Sequence, residues 1–435
     1  MPLSTKPYRG ARDFYPEDNR LRKYIFSIWR KTVESYGYEE YDAPILEPLE
    51  LYLAKTGEEI VNEQTYVFED RGKRKVVIRP EMTPTVSRMV AAKRQELAYP
   101  LRWYSIPNLW RYERPQNGRL REHWQLNVDI FGVESSGAEI ELINLICDIF
   151  KNFGAKESMF EIKLNHRGLI DFILSDYLKL SKTSIQKVSK LIDKLHKMEK
   201  TKFIESLDNS LSPKEIASGS VEKLMTILSV KSIKDLPSEV KNNDFALEII
   251  EIEKKLKKQG INNALFDPSL MRGFDYYSGL IFEAYDKNPD NNRSMMGGGR
   301  YDGLVGLFGV APVPTVGFGW GDVTLVNFLN GHHLLPKLGN ELDIYATTIG
   351  QNIDKANTVI DKLRKSGINI ALDLSKKKLA DQIKTASKKQ IKYVLIVGDK
   401  ELASAKYVLR NLETSIEQVL TETELINKFK INDSH

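Results

Sequence analysis

A single cysteine, Cys147, stands in a chain of 435 residues. With no second thiol there is no internal disulfide, which fits a reducing cytoplasm. Cys147 lies in the apolar helical run 140–150 and reads as a buried structural thiol. Histidine is also scarce: the six present include no HxxxH or HExxH spacing, so the usual zinc-hydrolase patterns are excluded. No apolar run approaches the ~20 residues of a membrane-spanning helix. The opening residues Met1 to Lys6 lack the apolar core of a secretion signal. No Walker A loop occurs. Gly317-Phe-Gly-Trp-Gly321 fails the dinucleotide fingerprint, because Asp322 stands at the third glycine position. Any phosphate is therefore held by side chains on strands and loops, not by a glycine loop at a helix N-terminus.

Hydrophobic residues make up 41% and charged residues 28%, the balance of a globular protein. The length predicts two or three domains. A net charge of +5 permits a nucleic-acid partner without establishing one.

Leu21, Ile25, Ile28, Trp29, Val33 and Tyr36 share one helical face, and Gly37 closes that helix. Tyr38 to Pro48 is predicted extended, and 65–68 with 75–79 as paired strands. Ser135 or Ser136 is placed to cap a helix running to Gly154, followed by a strand over 159–165. From Gly168 to Gly260 arginine vanishes, lysine dominates and the spacing is helical, which predicts an insertion. Either it presents a basic face or its lysines only solubilise it. Residues 331–339 read as a linker. The tail alternates strand and helix, which predicts a small α/β domain with a largely parallel sheet.

The most informative stretch is Arg111 to Gln125. Four arginines, at 111, 114, 119 and 121, surround a Pro/Gly turn between two β-rich flanks, 101–107 and 126–131. Arginine grips phosphate with a planar fork that lysine lacks, so this strand–loop–strand unit suits a polyphosphate. Arg79-Pro-Glu-Met-Thr-Pro-Thr85 supports that reading over a solvated hairpin tip. Two later motifs add to it. In Met271-Arg-Gly-Phe-Asp-Tyr-Tyr277 an arginine stands beside hydroxyl groups. The glycines of Ser294-Met-Met-Gly-Gly-Gly-Arg-Tyr-Asp-Gly303 permit close backbone approach to a ligand.

Together these motifs resemble the histidyl-tRNA synthetases, a class II aminoacyl-tRNA synthetase family, over nearly the whole chain. Residues 10–16 resemble the N-terminal signature. Tyr41 to Pro48 resembles the dimer-forming first motif, and Leu109 to Gln125 the second motif, which contacts ATP and the tRNA acceptor end. Arg272 to Tyr277 and Gly298 to Gly303 match two histidine-specific motifs. The resemblance implies an α+β catalytic domain on an antiparallel class II sheet at 1–167 and 261–330. A helical insertion at 168–260, a linker at 331–340 and an α/β anticodon-binding domain at 341–435 complete the implied fold. It implies a cytoplasmic homodimer acting on L-histidine, ATP with Mg2+ and tRNA(His).

The resemblance also implies residue roles. Glu81, Thr83 and Gln125 hold the histidine α-ammonium, whose three N–H donors suit a carboxylate and neutral acceptors. Asp129 and Tyr277 face the imidazole, with Tyr276 in the same pocket. Arg111 binds the α-phosphate, Arg119 and Arg121 the pyrophosphate side, and Arg272 lies across carboxylate and α-phosphate. His123 stands where an aromatic ring stacks on adenine. One departure is plain: the third motif's arginine, which stacks on the other adenine face, is replaced by Thr324. A non-catalytic relative, the regulatory subunit of ATP phosphoribosyltransferase, shares this fold. It degrades the histidine motifs and lacks the tail. A generic RNA-binding protein is the third reading.

Overall fold

The computed structural model describes residues 2–53, 64–116, 118–195, 198–271, 276–291, 293–350, 352–375 and 377–430. They form two compact units, Met1–Leu335 and Pro336–His435.

The first unit carries strands β1 (Glu39–Glu40), β2 (Leu46–Pro48), β3 (Tyr66–Glu69), β4 (Lys75–Ile78), β5 (Leu101–Ser105) and β6 (Asn108–Trp110). It continues with β7 (Glu122–Phe131), β8 (Phe160–His166), β9 (Ala264–Phe266), β10 (Leu280–Asp286), β11 (Ser294–Arg300) and β12 (Thr315–Gly321). Nine of these make one sheet in the order β1-β5-β7-β12-β11-β10-β8-β9, with β6 also on β7. Its central pairings are antiparallel, and only the short end strands β1 and β9 join in parallel. A separate small sheet runs β2-β4-β3.

One face of the large sheet is covered by apolar helices. Helix Pro16–Ser35 buries Ile25, Trp29 and Val33, as its spacing predicts, and Gly37 follows it at φ +80°. Helix Gly137–Asn152 buries Ile143, Ile146, Cys147 and Phe150. The Phe150 ring stacks on Phe160 at 3.8 Å and lies 4.5 Å from Trp320. It thereby ties the helix to β8 and β12, and truncating it to alanine would cost about 3–5 kcal/mol. Ser136 precedes this helix, but its side chain makes no capping bond, contrary to that sequence expectation; its own backbone is already αR.

The segment after β8 is helical, from Arg167–Phe172 to Asp244–Lys258. Its buried faces, among them Val188, Phe203, Leu224 and Ile249, run into the same core as the sheet. In the last helix Lys255 and Lys257 pair with Glu251 and Glu253 one turn earlier, so this basic run is partly charge-compensated.

The second unit holds β13 (Ile344–Ile349), β14 (Ile370–Leu372), β15 (Tyr393–Gly398), β16 (Tyr407–Asn411) and β17 (Glu417–Leu420), ordered β14-β13-β15-β16-β17. The first three pair in parallel, as the strand–helix alternation predicts. The last two add antiparallel pairings that the sequence reading lacked. Ile344, Ile360, Leu395, Leu409 and Leu425 form a core of its own.

Candidate active site

Strand β7 builds the site by alternation. In a strand, successive side chains point to opposite faces, so His123, Gln125, Asn127 and Asp129 share one face. Across from them, β12 offers Gly317 opposite Asp129 and Gly319 opposite Asn127. These glycines make room. A Cβ at Gly319 would sit 2.7 Å from Gln125 Nε2, and one at Gly317 would overlap the Asp129 carboxylate. Gly298 of β11 is instead a packing glycine, since a Cβ there would meet Phe318 Cβ at 2.6 Å.

The polar cavity above this floor has a volume of about 90 Å3. Its lining is Glu81, Thr83, Arg111, Gln125, Asn127, Tyr276, Tyr277, Gly297, Tyr301, Gly317, Phe318 and Gly319. The structure thus brings together Glu81, Thr83, Gln125, Arg111, Tyr276 and Tyr277. Glu81 is buried and accepts a hydrogen bond from the Tyr276 hydroxyl at 3.2 Å. Thr83 opens helix Thr83–Ala92. Arg111 donates through Nε to the Pro80 carbonyl at 2.9 Å, which fixes its guanidinium plane.

Asp129 lies deeper, 3% exposed, and its carboxylate accepts from the Tyr301 hydroxyl. Burial pushes its pKa up to about 7, opposed by that hydrogen bond. Tyr301 was not singled out in the sequence reading, although it stands in the quoted Gly298–Gly303 motif. Its neighbour Arg300 is held by Glu139 through two bonds of 2.6 and 2.8 Å, which fixes the end of β11. His123 is pushed down to about 3 by burial, with Arg111 and Arg12 adding to the effect. It is therefore a neutral aromatic ring near neutral pH.

The remaining arginines stand elsewhere. Arg119 pairs with Glu113 at 3.4 Å. Arg121 lies over the Tyr112 ring at 4.0 Å and donates to the Tyr8 hydroxyl at 3.0 Å. Neither lines the cavity, and Arg272 falls outside the described residues. Thr324, in the first turn of helix Asp322–Gly331, donates its hydroxyl to the Met295 and Gly321 carbonyls at 2.9 and 3.2 Å.

An antiparallel sheet whose long strand emerges from an arginine-bearing loop, then floors a polar cavity, is the core of the class II aminoacyl-tRNA synthetase fold. Residues 10–321 match the family model of histidyl-tRNA synthetase, and residues 343–432 that of an anticodon binding domain. The chain belongs to the histidyl-tRNA synthetase family. It is 45% identical over 430 residues to the histidine–tRNA ligase of Leptospira biflexa, covering 98% of each chain. It is 37% identical over 402 residues to the chloroplastic/mitochondrial histidine–tRNA ligase of Arabidopsis thaliana, covering 92% of this chain and 81% of that one. The crystal structure of histidyl-tRNA synthetase from a Nostoc species superposes with a TM-score of 0.79 at 22% identity, covering 99% and 100%. An ATP phosphoribosyltransferase regulatory subunit/histidyl-tRNA synthetase from Bacillus halodurans superposes at 0.73 with 23% identity, covering 92% and 99%. Fold alone therefore does not separate ligase from regulatory subunit.

Asp129 supplies a prediction with a sign. The folded chain holds its proton up to about pH 7, the unfolded chain only to about 3.9. Across that window the folded state binds more protons, so stability falls as pH rises and levels off above it. Asparagine has no charge to bury. Asp129→Asn is expected to gain melting temperature on the parent steadily between about pH 4 and 7. If Asp129 faces the imidazole, as the resemblance implies, the change should nonetheless raise the KM for histidine roughly tenfold, the loss of one hydrogen-bond partner. A melting-temperature difference that stays constant across the window would refute the buried proton.

Proposed function

We propose that this chain joins L-histidine to tRNA(His) in two steps, through histidyl-adenylate, with release of pyrophosphate and then AMP. The observation that carries this is the cavity itself. The Glu81 carboxyl group with neutral Thr83 and Gln125 suits an α-ammonium. Asp129 with Tyr301, beside Tyr277, suits an imidazole, and Arg111 stands at the mouth of the arginine loop. A regulatory subunit without ligase activity would share the sheet, and Thr324 is the one feature that favours it. The 45% identity to a ligase, over nearly the full length and including the C-terminal unit, weighs against it.

In the first step the histidine carboxylate attacks the α-phosphorus of ATP, and pyrophosphate leaves. The nucleophile is already ionised, so the step needs no protein base. The contribution of the chain is positioning and neutralising charge as it develops. Arg111 serves the α-phosphate, Arg119 and Arg121 the pyrophosphate end, and Arg272 the reacting carboxylate and phosphate. ATP enters as its Mg2+ complex, because magnesium is commonly carried by substrate phosphates. His123, neutral and aromatic, serves the adenine. In the second step the terminal ribose hydroxyl of tRNA takes the histidyl group, and the bond to AMP breaks. Charging of a tRNA(His) transcript with labelled histidine, and failure to charge another tRNA, tests this function. No charging of tRNA(His) by the purified chain would refute it.

We also assign the working form as a cytoplasmic homodimer. Ile45 and Leu46 are 46% and 44% exposed, and Val67 and Phe68 of the same small sheet are 42% and 44% exposed. An apolar sheet of this kind is covered in a two-fold interface. Light scattering at micromolar concentration is expected to give twice the 49.8 kDa chain mass, and Phe68→Glu to shift it toward one chain mass. A parent that scatters as one chain would contradict the assignment.

A further inference from the structure

The guanidinium groups of this unit fall into two kinds. Arg12, Arg79, Arg88, Arg102 and Arg300 are each paired with a carboxylate. Arg111, Arg121 and Arg293 have only neutral hydrogen-bond partners among the described residues. A half-buried arginine without a counter-ion is poised for an anionic or π-rich ligand.

Arg293 immediately precedes β11 and is not part of the arginine loop, yet it reaches the loop's tip. Its Nη2 donates to Gln116 Oε1 at 3.0 Å. A Cβ on Gly118, at φ +75°, would lie 3.5 Å from Arg293 Cδ, 3.7 Å from Thr324 Cγ2 and 3.8 Å from Asn327 Nδ2. Thr324 and Asn327 are short and neutral, and the Thr324 hydroxyl is engaged by backbone carbonyls. At this corner Arg293 offers the flat, cationic surface. It is held by one neutral bond to a loop amide, so a ligand entering under the loop can take it over with little to break.

We infer that Arg293 is a further nucleotide-binding residue, whose guanidinium lies on the purine of ATP beside Thr324. This rests on the proposed ligase reading, which places ATP under that loop. Arg111 and the loop arginines serve the phosphates, and Arg293 serves the base from the opposite side of the site.

The test compares the full-length chain with Arg293→Ala and Gln116→Ala. Histidine-dependent exchange of pyrophosphate into ATP is measured, together with direct ATP binding by calorimetry. Loss of one cation–π contact predicts that Arg293→Ala raises the KM and Kd for ATP roughly three- to thirtyfold. The KM for histidine and for pyrophosphate should stay within about twofold, and the maximal rate near that of the parent. Gln116→Ala, which removes the one side-chain bond Arg293 makes among the described residues, should leave ATP affinity unchanged. Three results overturn the inference. The ATP affinity of Arg293→Ala is unaltered, or Gln116→Ala weakens ATP equally, which makes Arg293 a loop brace. Or the KM for pyrophosphate rises alongside that for ATP, which moves the contact to the phosphates. If the parent binds ATP but shows no histidine-dependent exchange, the ligase reading fails. The calorimetric comparison then still decides on Arg293.

Discussion

Replacing Arg111 by alanine is expected to lower histidine-dependent pyrophosphate exchange by about two to three orders of magnitude, the usual loss on removing one donor aimed at developing charge. The reasoning is geometric. Arg111 lines the cavity with Glu81 and Gln125, so on the proposed reading its charge lies where the carboxylate and α-phosphate meet. Its Nε is tied to Pro80, and its terminal nitrogens have no partner among the described residues. The fork is therefore oriented before substrate arrives and needs little reorganisation during the reaction. Most of the loss should appear in the maximal rate, because the interaction strengthens as charge accumulates. Arg111→Lys should rescue poorly, since a point charge cannot reproduce a planar fork. The backbone bond from Arg111 N to the Arg121 carbonyl survives either substitution, so the loop base should keep its shape. Single-turnover adenylation rates, with the melting temperature as a folding control, check this. A rate within tenfold of the parent would remove Arg111 from the reacting centre.

Ending the chain after Leu335 is expected to spare histidine-dependent exchange while lowering the kcat/KM for tRNA by at least about a hundredfold, the scale of losing one of two linked binding modules. The truncated unit should fold, because the cores of the two units draw on separate residues. Phe150, Trp320 and Phe328 belong to the first, and Ile344, Ile360 and Leu409 to the second. Residues 343–432 match an anticodon binding domain, whereas the residues lining the cavity all belong to the first unit. In the full-length chain, tRNA binding should weaken steeply with salt, as phosphate contacts release counterions. Undiminished charging by the truncated chain would mean that the tail has another task.

Much of this site was legible in the sequence, because its parts are local. Gln125 and Asp129 are four residues apart on one strand, so alternation alone puts them on one face. Tyr276 and Tyr277 come in one motif, and Glu81 and Thr83 in another. What was not legible depends on pairings across long separations. Nothing local shows that Tyr301 reaches Asp129 from 172 residues away, or that Glu139 secures Arg300 from 161 away. Glycines misled in a specific way. Gly297 lines the cavity, as close approach to a ligand requires, but Gly298 is small because the neighbouring strand presses on it. Ser136 looked like a cap because its residue type fits, whereas capping depends on backbone angles that sequence does not reveal. The antiparallel pair β16–β17 was missed because only strands alternating with helices drew notice. The opposite pairing direction follows from the tight turn before Ile416, with Ser415 at φ +60°.

The central claim is that this cavity activates histidine and no other amino acid. The most direct measurement is exchange of labelled pyrophosphate into ATP by the purified chain, with each amino acid supplied in turn. Exchange with histidine alone, abolished by chelating magnesium, is the expected result. Exchange that is absent with histidine, or equally fast with another amino acid, would contradict the account.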